Sequence, residues 1–121
     1  MFIADSSFLV SLFLPFDVNH EKAKKQFVEV KDKIFIPNII LYETLTVLTY
    51  KGSPEEKKFT YEKIKSNKNF IIDHLSSSEL DEILEEFISS KRKISFEDHS
   101  IINIAKKGNL KILSFDKQIK S

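Results

Sequence analysis

Residues 1–10 read MFIADSSFLV, and this stretch decides the fold. Phe2, Ile3 and Ala4 make a short apolar run that ends on Asp5. Ser6 and Ser7 follow, and then a second apolar run from Phe8 to Leu14, broken only by Ser11. "MFIA" reads as a buried strand, and Ser6 to Leu14 as an apolar helix ended by Pro15. A carboxylate at the seam of two buried elements needs a partner, because an unpaired charge out of water is expensive. The first lysine or arginine in the chain is Lys22, so the partner is not local.

Working outward, the same alternation continues. "IFIP" at 34–37, "NFIIDH" at 69–74 and "LKILSFD" at 110–116 read as further strands. Between them, 18–33 is a charged helix with Ala23, Phe27 and Val30 as its inner stripe. "NIILYETLTVLTYK" at 38–51 is apolar nearly all round, which predicts burial on more than one side, and Gly52 stops it. At 53–66, Ser53, Pro54 and Glu56 spell a capping box with proline at the first helical position. Residues 76–92 are amphipathic through Leu80, Ile83, Leu84 and Phe87. Residues 95–108 form a last helix, with Ser95 as cap and Gly108 as stop. Short apolar strands alternating with helices predict an α/β fold: a single three-layer domain over 1–121, its short central parallel sheet flanked by helices. Open parallel sheets bind ligands beyond the carboxyl ends of their strands. Asp5 ends the first strand and Asp116 the fourth, so both are expected at that edge.

Composition narrows the chemistry. A chain of 121 residues with 41% hydrophobic content and 11 phenylalanines supports one packed core. Charged residues at 31%, and no apolar run near the roughly 20 residues of a membrane span, exclude a membrane protein. No basic segment precedes residues 8–14, so no signal peptide is expected and the cytoplasm is the default. With no cysteine there are no disulfides, thiolate chemistry or cysteine-ligated zinc. His20, His74 and His99 are scattered, and His99 reads as a surface residue turned toward Asn103. Two glycines cannot build a P-loop or a dinucleotide fingerprint. A net charge of +1 neither announces nor excludes a nucleic-acid partner.

Two further acids lie on apolar faces. Glu43 sits inside "IILYETLTVL", with Ile39, Ile40, Thr46 and Val47 three and four positions away. Asp98 opens a face that continues through Ile101, Ile102 and Ala105. Each acid has a plain structural role open to it. Asp5 could be a helix cap, Asp98 the second half of a capping box with Ser95, Asp116 the start of a turn, and Glu43 the partner of a distant lysine. One site explains all four together. Carboxylates gathered in a half-buried place repel one another, and a divalent cation with oxygen ligands, Mg²⁺ or Mn²⁺, relieves the repulsion. "SSKRK" at 89–93 reads either as a solvated helix end or as a phosphate-binding rim beside Asp98.

"FIADSSFLVSLF", "IPNIILYETLTVL" and "ISFEDHSIINIAKKGNLKILSFD" resemble, in order and spacing, the successive signatures of the PIN domain. The resemblance implies a metal-dependent ribonuclease, in many small relatives the VapC-type toxin of a toxin–antitoxin pair. It puts the family's four acids on Asp5, Glu43, Asp98 and Asp116, as catalytic residues and ligands of Mg²⁺ or Mn²⁺. It adds supporting hydroxyls at Ser6 and Ser114. An RNA substrate, a small antitoxin protein and a homodimer are the implied partners. Departures are Ser7, where the family often has Asn, and His99, where a small residue is usual. The chain also ends five residues after Asp116, where relatives commonly continue into a final edge strand.

A stand-alone RNA-processing PIN nuclease and a non-catalytic PIN-like binding module are the alternatives; retention of all four acids argues against the latter. A receiver-like switch needs paired acids at the first strand, and a haloacid-dehalogenase-type phosphatase needs Asp-x-Asp. Asp5-Ser6-Ser7 offers neither.

Overall fold

The computed structural model describes residues 1–120. Strands β1 (Phe2–Ala4), β2 (Ile34–Pro37), β3 (Phe70–Asp73) and β4 (Lys111–Leu113) are interleaved with seven helices among the described residues. These are α1 (Ser6–Phe13), α2 (His20–Glu29), α3 (Asn38–Lys51), α4 (Pro54–Ser66), α5 (Ser77–Ser89), α6 (Phe96–Gly108) and α7 (Lys117–Lys120). The sheet order is β3-β2-β1-β4, and every neighbouring pair is parallel. β1 is central: Phe2 registers with Ile34 on one side and Lys111 on the other. All four carboxyl ends therefore share one edge, as the alternation predicts.

Helices cover both faces of the sheet, and this is why its strands read as unbroken apolar runs. Ile3, Ala4, Ile34, Ile36, Phe8 and Ile101 are at most 1% exposed and pack in one core. Each large side chain of that set contributes about 1.5–3 kcal/mol by burial. The predicted capping box of α4 is closed, with Ser53 and Glu56 each accepting the other's backbone N–H.

Several boundaries differ from the sequence reading. α2 is shorter at both ends, and Val30 is its C-terminal cap. α3 buries one face, Ile40, Leu41, Thr44 and Leu48, and leaves Tyr42 and Tyr50 exposed. Its expected burial on several sides is corrected accordingly; tyrosines carry apolar rings that tolerate water. α5 ends at Ser89 with Ser90 as its cap, so the "SSKRK" run starts at an exposed helix end and continues into the connection to α6. β4 ends at Leu113, three residues before Asp116, which caps α7 by accepting the Gln118 N–H at 2.9 Å. Residues 117–120 thus form a helical turn, and no fifth strand occurs among the described residues.

Gly108 is not the left-handed stop of α6. Asn109 takes that conformation, with φ 53°, and Gly108 is the last helical residue. Gly108→Ala should therefore raise stability by about 0.5–1 kcal/mol, since glycine is the poorer helix former; the new methyl meets the Leu110 side chain at 3.2 Å, a neighbour that can give. Asn109→Ala should lower stability by about 1 kcal/mol, because alanine dislikes left-handed backbone. Urea unfolding of the two variants measures both signs.

Candidate active site

The strand-to-helix seam at Asp5 is tightly built. Asp5 caps α1, its Oδ1 accepting the Phe8 N–H at 2.9 Å. Ser7 Oγ donates to the same carboxylate at 2.8 and 3.0 Å. Ser114 Oγ donates to Oδ2 at 2.5 Å. The backbone after β4 holds both serines: the Phe115 N–H donates to Ser7 Oγ and the Asp116 N–H to Ser114 Oγ, each at 2.9 Å. Asp5 is 2% exposed. It is a helix cap and also the anchor between the ends of β1 and β4.

The other acids face the same place. Glu43 is half-buried on α3, close enough to the Ser6 hydroxyl for it to act on the carboxyl. Asp98 lies in the first turn of α6, where its N–H takes the Ser95 hydroxyl at 3.0 Å. Its carboxyl does not close a capping box as Glu56 and Glu79 do on α4 and α5. It lies instead beside Asp116, whose charge helps raise it.

Electrostatics records the convergence. Burial pushes the Asp5 carboxyl up, against the Ser114, Phe8 and Ser7 donors that pull it down, and the charge of Asp116 adds to the rise. Burial raises Glu43 too, opposed by Ser6 and reinforced by Glu97, Asp5 and Asp116. Asp98 is pushed up to about 6, first by burial, then by the charges of Asp116 and Glu43, the hydrogen bond with Asp116 and the charge of Asp5. Like charges and desolvation both disfavour ionisation.

Those donors are hard oxygens, half-buried and mutually repelling, the chemistry that suits Mg²⁺ or Mn²⁺. Among the described residues, no three His, Asp or Glu side chains stand close enough together to hold one ion directly. Magnesium keeps several waters and uses one or two carboxylates, so the donor set fits such an ion.

Two participants escape the sequence reading. Ser7 is the link between Asp5 and the backbone after β4, and only the family's Asn at that position hinted at a polar role. Glu97 acts on Glu43; as one acid among many at a helix start, it gives no sequence signal. His99 is corrected: it turns inward, edge-on to Phe87 at 5.6 Å, and its Nε2 is buried with no hydrogen-bond partner among the described residues. Arg92 of the basic connection donates to the Gln118 carbonyl, tying that connection to α7.

An all-parallel α/β fold with an acidic centre at its carboxyl edge is the class these observations define. The chain belongs to the PIN domain family, whose model matches residues 2–121. No curated protein sequence matches it. Among solved structures it resembles VapC20 of Mycobacterium tuberculosis, described as a sarcin-ricin loop cleaving toxin, at TM-score 0.89 and 19% identity over 99% of this chain and 93% of that one. It also resembles the PAE2754 protein of Pyrobaculum aerophilum at TM-score 0.60 and 20% identity, over 98% of this chain and 82% of that one. At such identities the likeness concerns the fold alone.

Proposed function

We propose that the chain is a metal-dependent endoribonuclease, centred on Asp5, Glu43, Asp98 and Asp116, and the toxin of a toxin–antitoxin pair. The observation that carries this reading is the convergence of four acids: the charge of Asp116 acts on Asp5, Glu43 and Asp98, and Glu43 also feels Asp5 and, most strongly, the neighbouring Glu97. Membership of the PIN family and the toxin description of VapC20 support it. In this reading the four carboxylates hold Mg²⁺ or Mn²⁺ directly or through water. When bound, the ion neutralises charge developing on a phosphodiester and makes water more acidic.

The remaining work falls to the chain itself. Ser7, Ser114 and the Phe8 N–H fix the Asp5 carboxylate, and Ser6 stands beside that of Glu43. The Ser7 and Ser114 hydroxyls are committed to Asp5, and in this reading the oxygen that attacks phosphorus comes from water, in line with the leaving oxygen. Burial and the neighbouring charges of Asp116 and Glu43 keep the Asp98 carboxyl a weaker acid than usual while the centre is uncompensated. Among the described residues no helix is long and apolar enough to cross a membrane; a cytoplasmic homodimer with a small antitoxin partner completes the proposal.

The purified chain should cut single-stranded RNA in Mg²⁺ or Mn²⁺, and excess EDTA should stop it. Expression alone should slow growth, and co-expression of the adjacent small protein should restore it. An active nuclease that leaves growth unimpaired would point to RNA processing instead.

A further inference from the structure

Beside the acidic centre a cleft of about 320 Å³ opens along α1 and α3. Ser6 and Ser7 form one end, next to Asp5 and Glu43, and Lys51 forms the other. Val10, Val47 and the Phe115 ring give it apolar walls, and Phe115 is itself backed by Phe8 in a stack at 6.2 Å. Asp17 also lines the cleft, on a loop that is built rather than loose. The buried Ser11 donates its Oγ to Asp17 Oδ2 at 2.8 Å, and the Asn19 N–H donates to the same oxygen at 2.9 Å. His20 Nδ1 donates to the Ser11 carbonyl at 2.8 Å, pinning the far side of the loop. Lys51 is the last residue of α3, is exposed, and enters no ion pair among the described residues.

Beside the acidic centre the cleft thus brings together an aromatic and aliphatic wall, a fixed carboxylate acceptor and a cation. Unpaired RNA presents a scissile phosphate, a base with a flat apolar face and a donor-bearing edge, and a further phosphate. Aromatic walls take base faces and lysines take phosphates in single-strand recognition. Glu43 and Lys51 are eight residues apart on one helix, about 12 Å at 1.5 Å per residue, which is about two phosphate steps of an extended strand. We propose that this cleft seats the nucleotide flanking the scissile bond of an unpaired RNA strand. Its base lies against Phe115 and Val47, its polar edge faces Asp17, and the next phosphate meets Lys51. The proposal rests on the nuclease reading and adds the path of the strand, with Lys51 as a binding residue and Asp17 as a specificity residue.

Lys51 also complements the dipole at the end of α3, so the test needs a readout that a structural role leaves alone. The full-length parent and Lys51→Gln are compared on a short unstructured RNA over a salt series. Binding is read in EDTA, where nothing is cut, and kcat and KM with Mn²⁺. Lys51→Gln should raise KM and the dissociation constant about 5–10-fold, leave kcat within about two-fold, and shallow the salt slope by about 0.7, one phosphate's share on a single strand. Lys25→Gln, on the outer face of α2, should change none of these. Asp17→Asn should alter the preference among the four bases without altering the salt slope. A parent that cuts RNA while Lys51→Gln keeps its slope and KM would overturn the cleft proposal and leave the nuclease standing. An equal Lys51 effect on duplex RNA would overturn the single-strand assignment. A parent that binds RNA with the Lys51-dependent slope but never cuts it would support the cleft and sink the nuclease reading. A parent that neither binds nor cuts RNA would overturn both.

Discussion

Asp5→Asn and Asp116→Asn should each lower kcat for RNA cleavage by at least about 100-fold, with Mg²⁺ or Mn²⁺ saturating. The size follows from what each carboxylate does. Losing one charged ligand, or the group that orients it, misplaces a catalytic cation. The substitutions remove that charge and keep the helix caps. Asparagine is as good a helix cap as aspartate, so in the Asp5→Asn protein the amide oxygen can still accept the Phe8 N–H that Asp5 accepts at 2.9 Å. At 116, an amide oxygen can replace the carboxylate that caps α7 through the Gln118 N–H. Ser7→Ala should behave differently. It removes a donor to Asp5 and the acceptor of the Phe115 N–H but leaves all four charges in place, so an intermediate loss of about 10-fold is expected. Circular dichroism and a melting curve establish that each variant is folded before its rate is read. Full cleavage by Asp5→Asn, in a preparation free of contaminating nuclease, would end the proposed mechanism.

How much of this was legible beforehand depended on whether a feature is local. Phe2–Ala4 and Ile34–Pro37 were readable because strands covered on both faces must be apolar throughout. Ser53 and Glu56 were readable because a capping box is defined within four residues. The convergence of Asp5, Glu43, Asp98 and Asp116 was readable only in negative form, as four acids with no local cation; nothing in the spacing itself says that Asp98 meets Asp116. Asn109 was missed because glycine is the commoner left-handed residue and Gly108 stood beside it. Ser7 was missed because its role joins β1 to the segment after β4, a contact between residues 7 and 115 that no local pattern encodes. The exposed face of α3 was misjudged for a related reason. Hydrophobicity counts Tyr42 and Tyr50 as apolar, and only the packed structure shows which side they take.

The second large effect needs no substrate. Asp98 has its carboxyl pushed up from 3.8 to about 6. A group whose folded pKa is raised stabilises the fold below its unfolded pKa and loses that contribution as pH climbs through the folded value. The window is therefore from about 4 to about 6, and at about pH 7.5 in EDTA the ionised Asp98 is a liability against Asp116, Glu43 and Asp5. Taken at face value the shift is about 3 kcal/mol. Asp98 is partly exposed, and solvent screening reduces this to about 1 kcal/mol. Asp98→Asn keeps the shape and the backbone bond to Ser95, so without metal it should melt about 4 °C above the parent. Near pH 4, where Asp98 is largely protonated, that advantage should vanish. Asp5 is the poorer probe, because an amide there must face the Ser7 and Ser114 hydroxyls that now donate to a carboxylate. Lost hydrogen bonds and relieved repulsion then offset each other. Metal should invert the order at Asp98. With a dissociation constant near about 1 mM, about 10 mM Mg²⁺ stabilises the parent by about 1.4 kcal/mol, about 5 °C in a domain of this size. Asp98→Asn, short of a ligand, should gain much less. Four melting curves at about pH 7.5 settle the matter, two proteins each in EDTA and in Mg²⁺. If Asp98→Asn melts below the parent in EDTA, and Mg²⁺ moves both equally, the four acids are surface and capping residues and no cation centre joins them.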